Sequence, residues 1–234
     1  MSRAVTDPVS GPMNFFVQQF RNVGLSLLAA ALLVGVAGAQ SAPSPDTAKL
    51  GPQELIAKVA NDTLKDLDAH RAEYSKDKSK VRALVDKNML PYFDTAYSAQ
   101  LVLAKHWRTA TPEQRKRFVE AFYQSLLQNY GEALLEFTPD RLKILPFQGN
   151  PTDKIATVRT EIRRDNGSRV PVNYSLRQTE NGWRAYDVQI EGVSYIKSFR
   201  TDFGSEIDQK GLEAVIQRLE SQVASGTVKK PTAA

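Results

Sequence analysis

The sequence contains no cysteine. Without cysteine there are no disulfide bonds, no cysteine nucleophile, no thiolate metal site and no lipid-modified cysteine of the kind that anchors bacterial lipoproteins. Histidine is nearly absent as well, since only His70 and His106 occur. We expect His70 to lie on the surface and His106 to pack at a helix end, because two isolated histidines do not make a zinc or iron site. The sequence therefore predicts no metal site and no cofactor.

The common catalytic signatures are missing too. The chain has no G-x-S-x-G elbow, no H-E-x-x-H helix, no P-loop and no Rossmann fingerprint. One pair of carboxylates, Asp187 and Glu191, could act as acid and base on a small apolar substrate if both faced one cleft. We favour a structural role for Asp187, in which its carboxylate accepts hydrogen bonds from backbone N–H groups. We expect no catalytic residue and no enzyme activity, and keep the Asp187/Glu191 enzyme as an alternative.

Charge of one sign is not concentrated in any region. The formal net charge is +5, and the lysines and arginines are interspersed with aspartates and glutamates, so the sequence does not predict binding to nucleic acid. The one short basic run is Arg115-Lys116-Arg117. Like charges in the first turns of a helix oppose the helix dipole, so an exposed face is the simplest interpretation. A contact patch for an acidic partner or for lipid headgroups is the alternative.

Only one long hydrophobic run occurs, and it lies near the N-terminus. Residues 23–37 carry no charge, Arg21 precedes them, and Ala37-Gly38-Ala39 follows as a small-x-small cleavage site. Because a membrane span needs about twenty apolar residues, we interpret residues 1–39 as a signal peptide cleaved near Ala39, with an uncleaved anchor as the alternative. We expect a flexible lead-in over residues 40–50, a single domain over residues 51–221 and a disordered tail over residues 222–234.

Apolar residues recur at helical spacing through the first half of this domain. They predict a helix that begins near Pro52, a second that ends before Pro91, and a third over residues 94–104. The clearest helix start is the capping box that begins at Thr111, and this helix is expected to continue to about Glu136. Its apolar stripe recurs every fourth residue, at Phe118, Phe122, Leu126, Tyr130 and Leu134.

From Leu142 the apolar period changes to two, which predicts strands. The strands are expected over residues 142–146, 156–163, 169–177 and 183–190, with turns at residues 165–168 and 181–182. Each strand has one apolar and one polar face, which is typical of an antiparallel meander. Helices return after residue 195. The order of elements predicts an α+β fold, in which a curved antiparallel sheet of about four strands packs against several long helices.

A sharp turn joins the last strand to the helix that follows it. Gly192 is expected to permit this turn and Ser194 to cap the helix. Alternation places Tyr186, Val188 and Ile190 on one strand face and the intervening residues on the other. These apolar faces either close an ordinary core or roof a cavity for an apolar ligand, and periodicity does not distinguish the two. A secreted adaptor that docks a partner helix is a third interpretation.

Two segments, residues 101–134 and 183–203, resemble the MlaC-type family. Members of this family are periplasmic phospholipid-binding components of an ABC-transporter system and are also called toluene-tolerance proteins. The most specific part of the resemblance is D-V-x-I-E-G-V-S, which begins at Asp187. The resemblance extends over most of the predicted domain, from about Leu55 to Leu219.

The resemblance implies a nuclear-transport-factor-like or cystatin-like sheet, a lipid cavity between sheet and helices, phospholipid as cargo and no metal. It also implies a periplasmic carrier that shuttles phospholipid between an outer-membrane lipoprotein–porin complex and an inner-membrane MCE-domain ABC transporter complex, and so maintains outer-membrane lipid asymmetry. On this basis we expect the inward apolar residues of the helices and strands to line the cavity. They are Leu101, Phe118, Phe122, Leu126, Tyr130, Leu134, Val158, Ile162, Val172, Tyr174, Val188, Ile190, Val193, Ile196, Phe199 and Phe203.

Overall fold

The computed structural model describes residues 47–150 and 152–226, without the side chains of Glu132, Ala133 and Glu136. Over these residues the chain has the predicted α+β fold, with seven α-helices and a five-stranded antiparallel sheet. The helices are α1 (Pro52–Lys76), α2 (Lys78–Asn88), α3 (Thr95–Leu103), α4 (Lys105–Thr109), α5 (Pro112–Tyr130), α6 (Tyr195–Lys210) and α7 (Leu212–Ala224). The strands are β1 (Leu142–Ile144), β2 (Ile155–Arg163), β3 (Arg169–Thr179), β4 (Gly182–Ile190) and β5 (Val193–Ser194).

The strands pair in the order of the sequence, β1-β2-β3-β4-β5. The β2–β3 turn closes where Arg164 N donates to Ser168 O and Gly167 adopts a φ of 81°. Gly182 opens β4 with a φ of 88°. The sequence predicted both turns and the four longer strands, and the two-residue β5 is the addition.

A β-bulge changes the expected alternation along β4. Ser175 pairs with Asp187, whereas the next residue, Leu176, pairs with Ala185, so Tyr186 has no partner of its own on β3. A bulge inserts one residue and inverts the faces beyond it. The expectation that Ala185 lies opposite Val188 and Ile190 is therefore wrong, because all three share one face of the sheet.

The helix starts follow their capping residues. Thr111 Oγ1 accepts from Gln114 N at 3.1 Å, and the Gln114 side chain accepts from Thr111 N, which completes the predicted capping box of α5. The end of α5 differs from the expectation, because the α-helix ends at Tyr130 and a 3-10 helix (Gly131–Glu136) follows. Glycine is a weak helix former, and a 3-10 turn winds the chain more tightly, so Leu134 leaves the stripe of Phe118 and Phe122.

Three apolar clusters form the core. The bundle core lies among α3, α5, α6 and α7 and contains Phe118, Phe122, Phe199 and Phe203. The sheet core joins Leu55 and Ile56 of α1 to β2, β3 and β4. A third cluster joins α1 and α2 to the segment after α5.

The ends of the domain are only partly described. The predicted signal peptide at residues 1–39 and residues 40–46 of the lead-in lie outside the described residues, as do residues 227–234 of the tail. A 3-10 helix (Thr47–Lys49) falls within the expected lead-in, and α7 continues to Ala224, three residues into the expected tail. None of the helices over the described ranges combines the length and the hydropathy needed to cross a membrane.

Candidate functional site

One face of the sheet, here called the inner face, is the face that packs on α1. Its register is fixed by pairs such as Val158 with Tyr174 and Val172 with Ile190. At the end nearest α1 this face is buried, at Ala156, Val158, Leu176, Trp183 and Ala185. Toward the β2–β3 turn Val170 and Val172 are buried, whereas several other apolar residues of this face are only half-buried. They are Ile162 on β2, Tyr174 on β3, and Val188 and Ile190 on β4.

This half-buried region includes residues that pair with strands on both sides, such as Ile162 between β1 and β3. Apolar side chains at the centre of a sheet are normally sealed by the layer that covers them. Ile190 is only half-buried although it pairs with Val172 of β3 and Val193 of β5, and Val188, which pairs with Tyr174 alone, is half-buried too. The helices therefore cover this part of the inner face incompletely.

Tyr174 lies within this half-buried region of the inner face, paired with Val158 and Val188. Burial raises the pKa of its phenol, so protein surrounds the ring. Yet the side chain is only half-buried, and within the described ranges no protein group hydrogen-bonds to its hydroxyl. The hydroxyl oxygen keeps some contact with solvent, since the sealed side-chain atoms without a partner in the described residues are Thr63 Oγ1 and His106 Nε2. Tyr174 thus places a hydroxyl that water still reaches among the apolar side chains of the inner face.

The aromatic residues of α5 and α6 that were expected to line the cavity pack on one another. Phe118 is 0% exposed, and its ring stacks on Phe122 at 5.6 Å and meets Phe203 at 5.7 Å. Phe122 meets Phe199 at 5.1 Å. The described neighbours of these rings in the bundle core belong to helices, so the α5 stripe packs on helices rather than on strands, and its place in the lining of a lipid cavity stays a prediction. Helical spacing identified the buried stripe correctly but not the layer that covers it.

The remaining predicted lining residues fall into three environments. Ile196 is buried in the bundle core, and Leu101, Leu126 and Tyr130 pack against it while half-buried. Leu134, in the 3-10 helix, packs against the third cluster. Val193 lies at the β4–β5 turn and is 45% exposed. The structure brings together Ile162, Val172, Tyr174, Val188 and Ile190 with Val158 on the inner face.

Arg71 of α1 holds the 3-10 helix against the rest of the molecule. Its guanidinium donates to the carbonyl of Leu135 and, at 2.7 Å, to that of Phe137, and it also pairs with Asp68 at 2.9 Å. The last carbonyls of a helix lack partners within the helix, and a cation satisfies them well. Sequence reasoning did not identify Arg71, because nothing in the local pattern reveals a contact with residues more than sixty positions away.

The turn between β4 and α6 is held by Asp187. Its carboxylate is buried and accepts from Ser194 Oγ at 2.6 Å and from Ile196 N at 3.1 Å. Ser194 Oγ in turn accepts from Lys197 N, which confirms its predicted role as the cap of α6. Glu191 is exposed and pairs with Arg164 at 3.3 Å. The structural interpretation of Asp187 is confirmed, because its two oxygens bind the helix start.

The basic run at the start of α5 is mostly engaged within the protein. Arg117 forms ion pairs of 2.7 Å with both Glu213 and Glu220 of α7. Arg115 donates to Trp107 O at 2.9 Å and stacks over its indole ring. Of the three, only Lys116 is exposed. Two of the three charges thus stabilise contacts between helices.

The outer face of the sheet carries a small charged cleft of about 140 Å³ beside β1. It is lined only by charged residues, and two ion pairs cross it, Arg163 with Asp140 and Arg169 with Glu161. Such a surface does not suit an acyl chain. Among the described residues there is no cluster of His, Asp and Glu that could hold a metal ion. His70 is exposed, as expected, and His106 is half-buried with Nε2 at 3.4 Å from Asp208.

Comparison with known proteins gives consistent results. The family described as MlaC protein matches residues 57–221. The toluene tolerance protein ttg2D of Pseudomonas putida is 29% identical over 203 residues, which are 86% of this chain and 93% of that protein. The intermembrane phospholipid transport system binding protein MlaC of Haemophilus influenzae is 21% identical over 180 residues, 76% of this chain and 84% of that protein.

A solved structure is also similar to this chain. It is that of the phospholipid-binding protein from Ralstonia solanacearum, in complex with a phospholipid. The TM-score is 0.70 and the sequence identity 25%, and the match covers 76% of this chain and 99% of the other.

Proposed function

The chain belongs to the MlaC family, and from this premise we propose that it is a soluble phospholipid carrier of the periplasm. In this proposal it takes phospholipid as cargo and shuttles it between an outer-membrane lipoprotein–porin complex and an inner-membrane MCE-domain ABC transporter complex. The relatives named for phospholipid transport and toluene tolerance, and the phospholipid-bound structural neighbour, support this proposal.

Such a carrier solves a thermodynamic problem. A phospholipid with two long chains carries about thirty methylenes, each worth about 0.8 kcal/mol of transfer free energy from water. The sum, about 24 kcal/mol, prevents free lipid from crossing an aqueous compartment at a useful rate. A protein that offers the chains an apolar surface brings the free energy of transfer from the bilayer close to zero, so lipid can be both accepted and released.

The observation that carries the proposal is the incompletely covered part of the inner face. Ile162, Val188 and Ile190 are only half-buried, and the hydroxyl of Tyr174 beside them has no hydrogen-bond partner among the described residues, which supports a site for acyl chains here. Exposed apolar surface costs roughly 25 cal/mol per Å², so an apolar occupant stabilises the protein. Acyl chains meet this requirement, whereas the charged cleft on the outer face does not.

The domain arrangement follows from the same proposal. Residues 1–39 act as a signal peptide that is removed near Ala39, and residues 40–50 connect it to a single lipid-binding domain over residues 51–221. Export places the carrier in the compartment between the two membranes. N-terminal sequencing of the secreted protein tests this part, with a first residue close to position 40 expected.

Extraction of the purified mature protein with organic solvent, followed by mass spectrometry, tests the carrier itself. We expect about one phospholipid per molecule in the native protein and much less in Val188→Asp, because a carboxylate on the inner face is costly beside acyl chains. Ile155→Asp is the matched control, since Ile155 lies at the start of β2 and is 51% exposed. Lipid-free native protein, or equal lipid in both variants, would contradict the proposal.

A further inference from the structure

The charged cleft on the outer face of the sheet carries more positive than negative charge. It is lined by four cations and two carboxylates, namely Arg141, Lys143, Arg163, Arg169, Asp140 and Glu161. Its volume of about 140 Å³ is roughly ten times what one water molecule needs, so a small polyatomic anion fits. The excess of positive charge in a concave surface favours such an anion.

The register of the sheet places like charges next to one another at this cleft. Arg163 of β2 pairs directly with Arg169 of β3, and like charges directly opposite each other destabilise a sheet. Lys143 of β1 pairs with Glu161, which lies on the same strand face as Arg163. Lys143 is therefore the diagonal neighbour of Arg163, at roughly 7–8 Å along the sheet. Cations from three neighbouring strands line one cleft, and an anion between them would offset their repulsion.

The arginines of the cleft have hydrogen-bond donors to spare. A guanidinium carries five N–H donors. In the described parts of the chain, Arg163 donates only through Nη2, to Asp140 at 2.6 Å, and Arg169 only through Nη1, to Glu161 at 2.8 Å. Arg218 differs, because it binds Glu206 through both Nε and Nη2. Arg163 and Arg169 thus retain the paired donors that suit the oxygens of a phosphate group.

Lys143 has no partner among the residues that the structure describes. Its ammonium forms neither an ion pair nor a hydrogen bond there, although Glu161 is directly opposite on β2, because Glu161 pairs with Arg169 instead. The side chain is exposed. A lysine ammonium is a compact point charge that binds phosphate without a fixed orientation. Lys143 therefore adds a charge to the cleft that no described carboxylate neutralises by contact.

We propose that Lys143, Arg163 and Arg169 form a binding site for a phosphate group. The arginines donate paired hydrogen bonds to its oxygens, and Lys143 supplies a further positive charge. Soluble phosphate and the phosphate of an anionic lipid headgroup share this chemistry. The site lies on the face of the sheet opposite the one proposed for acyl chains, so it goes beyond the carrier function and does not depend on it.

Titration with inorganic phosphate tests the site. The purified protein is titrated in a chloride buffer of constant ionic strength, and the backbone amide shifts of β1, β2 and β3 are followed by NMR spectroscopy. The native protein is expected to show saturable shifts at these strands, and Lys143→Gln to weaken binding by about fivefold. Lys116→Gln is the matched control, because it removes the charge of another exposed lysine, on α5, and should leave binding unchanged.

Glu161→Gln distinguishes a binding site from a structural role. This substitution removes a negative charge from the cleft and releases Arg169 from its ion pair, so it should strengthen phosphate binding. A variant that merely disturbed the sheet would weaken binding instead. Stronger binding in Glu161→Gln together with weaker binding in Lys143→Gln therefore supports the site, and weaker binding in both would overturn it.

A second arm identifies the source of the phosphate group. Sedimentation with vesicles of phosphatidylcholine is compared with and without phosphatidylglycerol, for the native protein and the same variants. Binding to the anionic vesicles that falls in Lys143→Gln but not in Lys116→Gln assigns the site to a lipid headgroup, whereas the same pattern with inorganic phosphate alone assigns it to a soluble anion. Binding to neither probe, or equal weakening by both lysine substitutions, would overturn the proposal. Phospholipid extracted from the same preparation tests the carrier function separately.

Discussion

At the scale of single residues, Asp187 shows how one buried carboxylate fixes the connection between sheet and helix. It accepts one hydrogen bond from a side chain and one from the backbone at the start of α6, where the helix dipole also favours a negative charge. We predict that Asp187→Asn lowers the free energy of unfolding by about 1–2 kcal/mol, because a charge-assisted hydrogen bond is replaced by a neutral one. Denaturant titration measures the loss. Bound lipid should persist in the variant, whereas an enzyme that used Asp187 would lose turnover.

Asp66 is a second carboxylate with several partners, and it links α1 to α2. It accepts from the hydroxyl of Tyr74 at 2.5 Å, from His70 at 2.9 Å and from Asn88 at 3.4 Å. The hydrogen bond from Tyr74, followed by that from His70 and the charge of Lys87, holds the pKa of Asp66 below its usual value of 3.8. This carboxylate therefore stabilises the folded state when it is ionised.

The pH dependence of this contribution has a definite sign. Since the folded protein depresses the pKa of Asp66, the stabilisation is fully present well above pH 3.8 and is lost as the pH falls through the lower pKa of the folded state. We predict that Asp66→Asn lowers the free energy of unfolding by about 1 kcal/mol at pH 7. The difference from the native protein should shrink below about pH 4. Thermal unfolding from pH 3 to pH 7 checks this, and a difference that stays constant with pH would contradict it.

At the scale of elements, the β4–β5 turn has the most demanding backbone. Glu191 and Gly192 both have positive φ, of 51° and 84°. Two consecutive positive values define a type I′ turn, whose twist suits a hairpin. We predict that Gly192→Val lowers the free energy of unfolding by at least about 1–2 kcal/mol, because a β-branched residue in this region clashes with its own backbone. The cause is local, since a Cβ there would meet no other atom within 4 Å.

Gly204 provides the control for this substitution. It lies within α6, a Cβ added there would also meet open space, and its φ is not positive. Gly204→Ala should stabilise the protein by about 0.5–1 kcal/mol, because alanine is the better helix former. Equal melting temperatures for Gly192→Val and the native protein would show that the turn adapts to a side chain.

The attachment of α7 to α5 depends on one arginine. Arg117 reaches both Glu213 and Glu220, whereas its neighbour Lys116 is exposed. We predict that Arg117→Ala lowers the melting temperature and that Lys116→Ala does not. Because partly exposed ion pairs are screened by salt, the difference should be smaller in 1 M NaCl than in 50 mM NaCl. A salt-independent loss would instead indicate lost packing of the arginine stem.

At the scale of the whole molecule, the sequence predicted the α+β fold because its signals are local. Capping residues such as Thr111 and Ser194, and the glycines of the turns, act within a few positions of themselves. The β-bulge at Tyr186 was not predictable in this way, since it depends on how β4 pairs with β3 and on Asp94 N, which donates to Ala185 O. The environment of Phe118 was not predictable either, because helical spacing identifies the buried face of a helix but not its partner.

The candidate site was predicted in part for the same reason. Tyr174, Val188 and Ile190 were expected on one face, and the register places them there. Their incomplete burial depends on how the helices pack against the sheet, which is a property of the tertiary arrangement. The result is a division within the molecule: a bundle core of closely packed aromatic rings, and an inner face on which half-buried apolar residues stand beside buried ones.

This division can be tested by adding the same side-chain volume to each half. Val102 of α3 is 1% exposed in the bundle core, whereas Val188 is half-buried on the inner face. Val102→Phe should lower the free energy of unfolding by about 1–3 kcal/mol, because extra volume in a closed core forces strain. Val188→Phe should leave the stability of the delipidated protein unchanged or raise it, since the ring fills open space, and it should reduce the amount of lipid bound. Delipidated protein is compared because bound lipid itself stabilises the folded state. Equal destabilisation by both substitutions would mean that the inner face is closed, and the carrier function would then lack its structural basis.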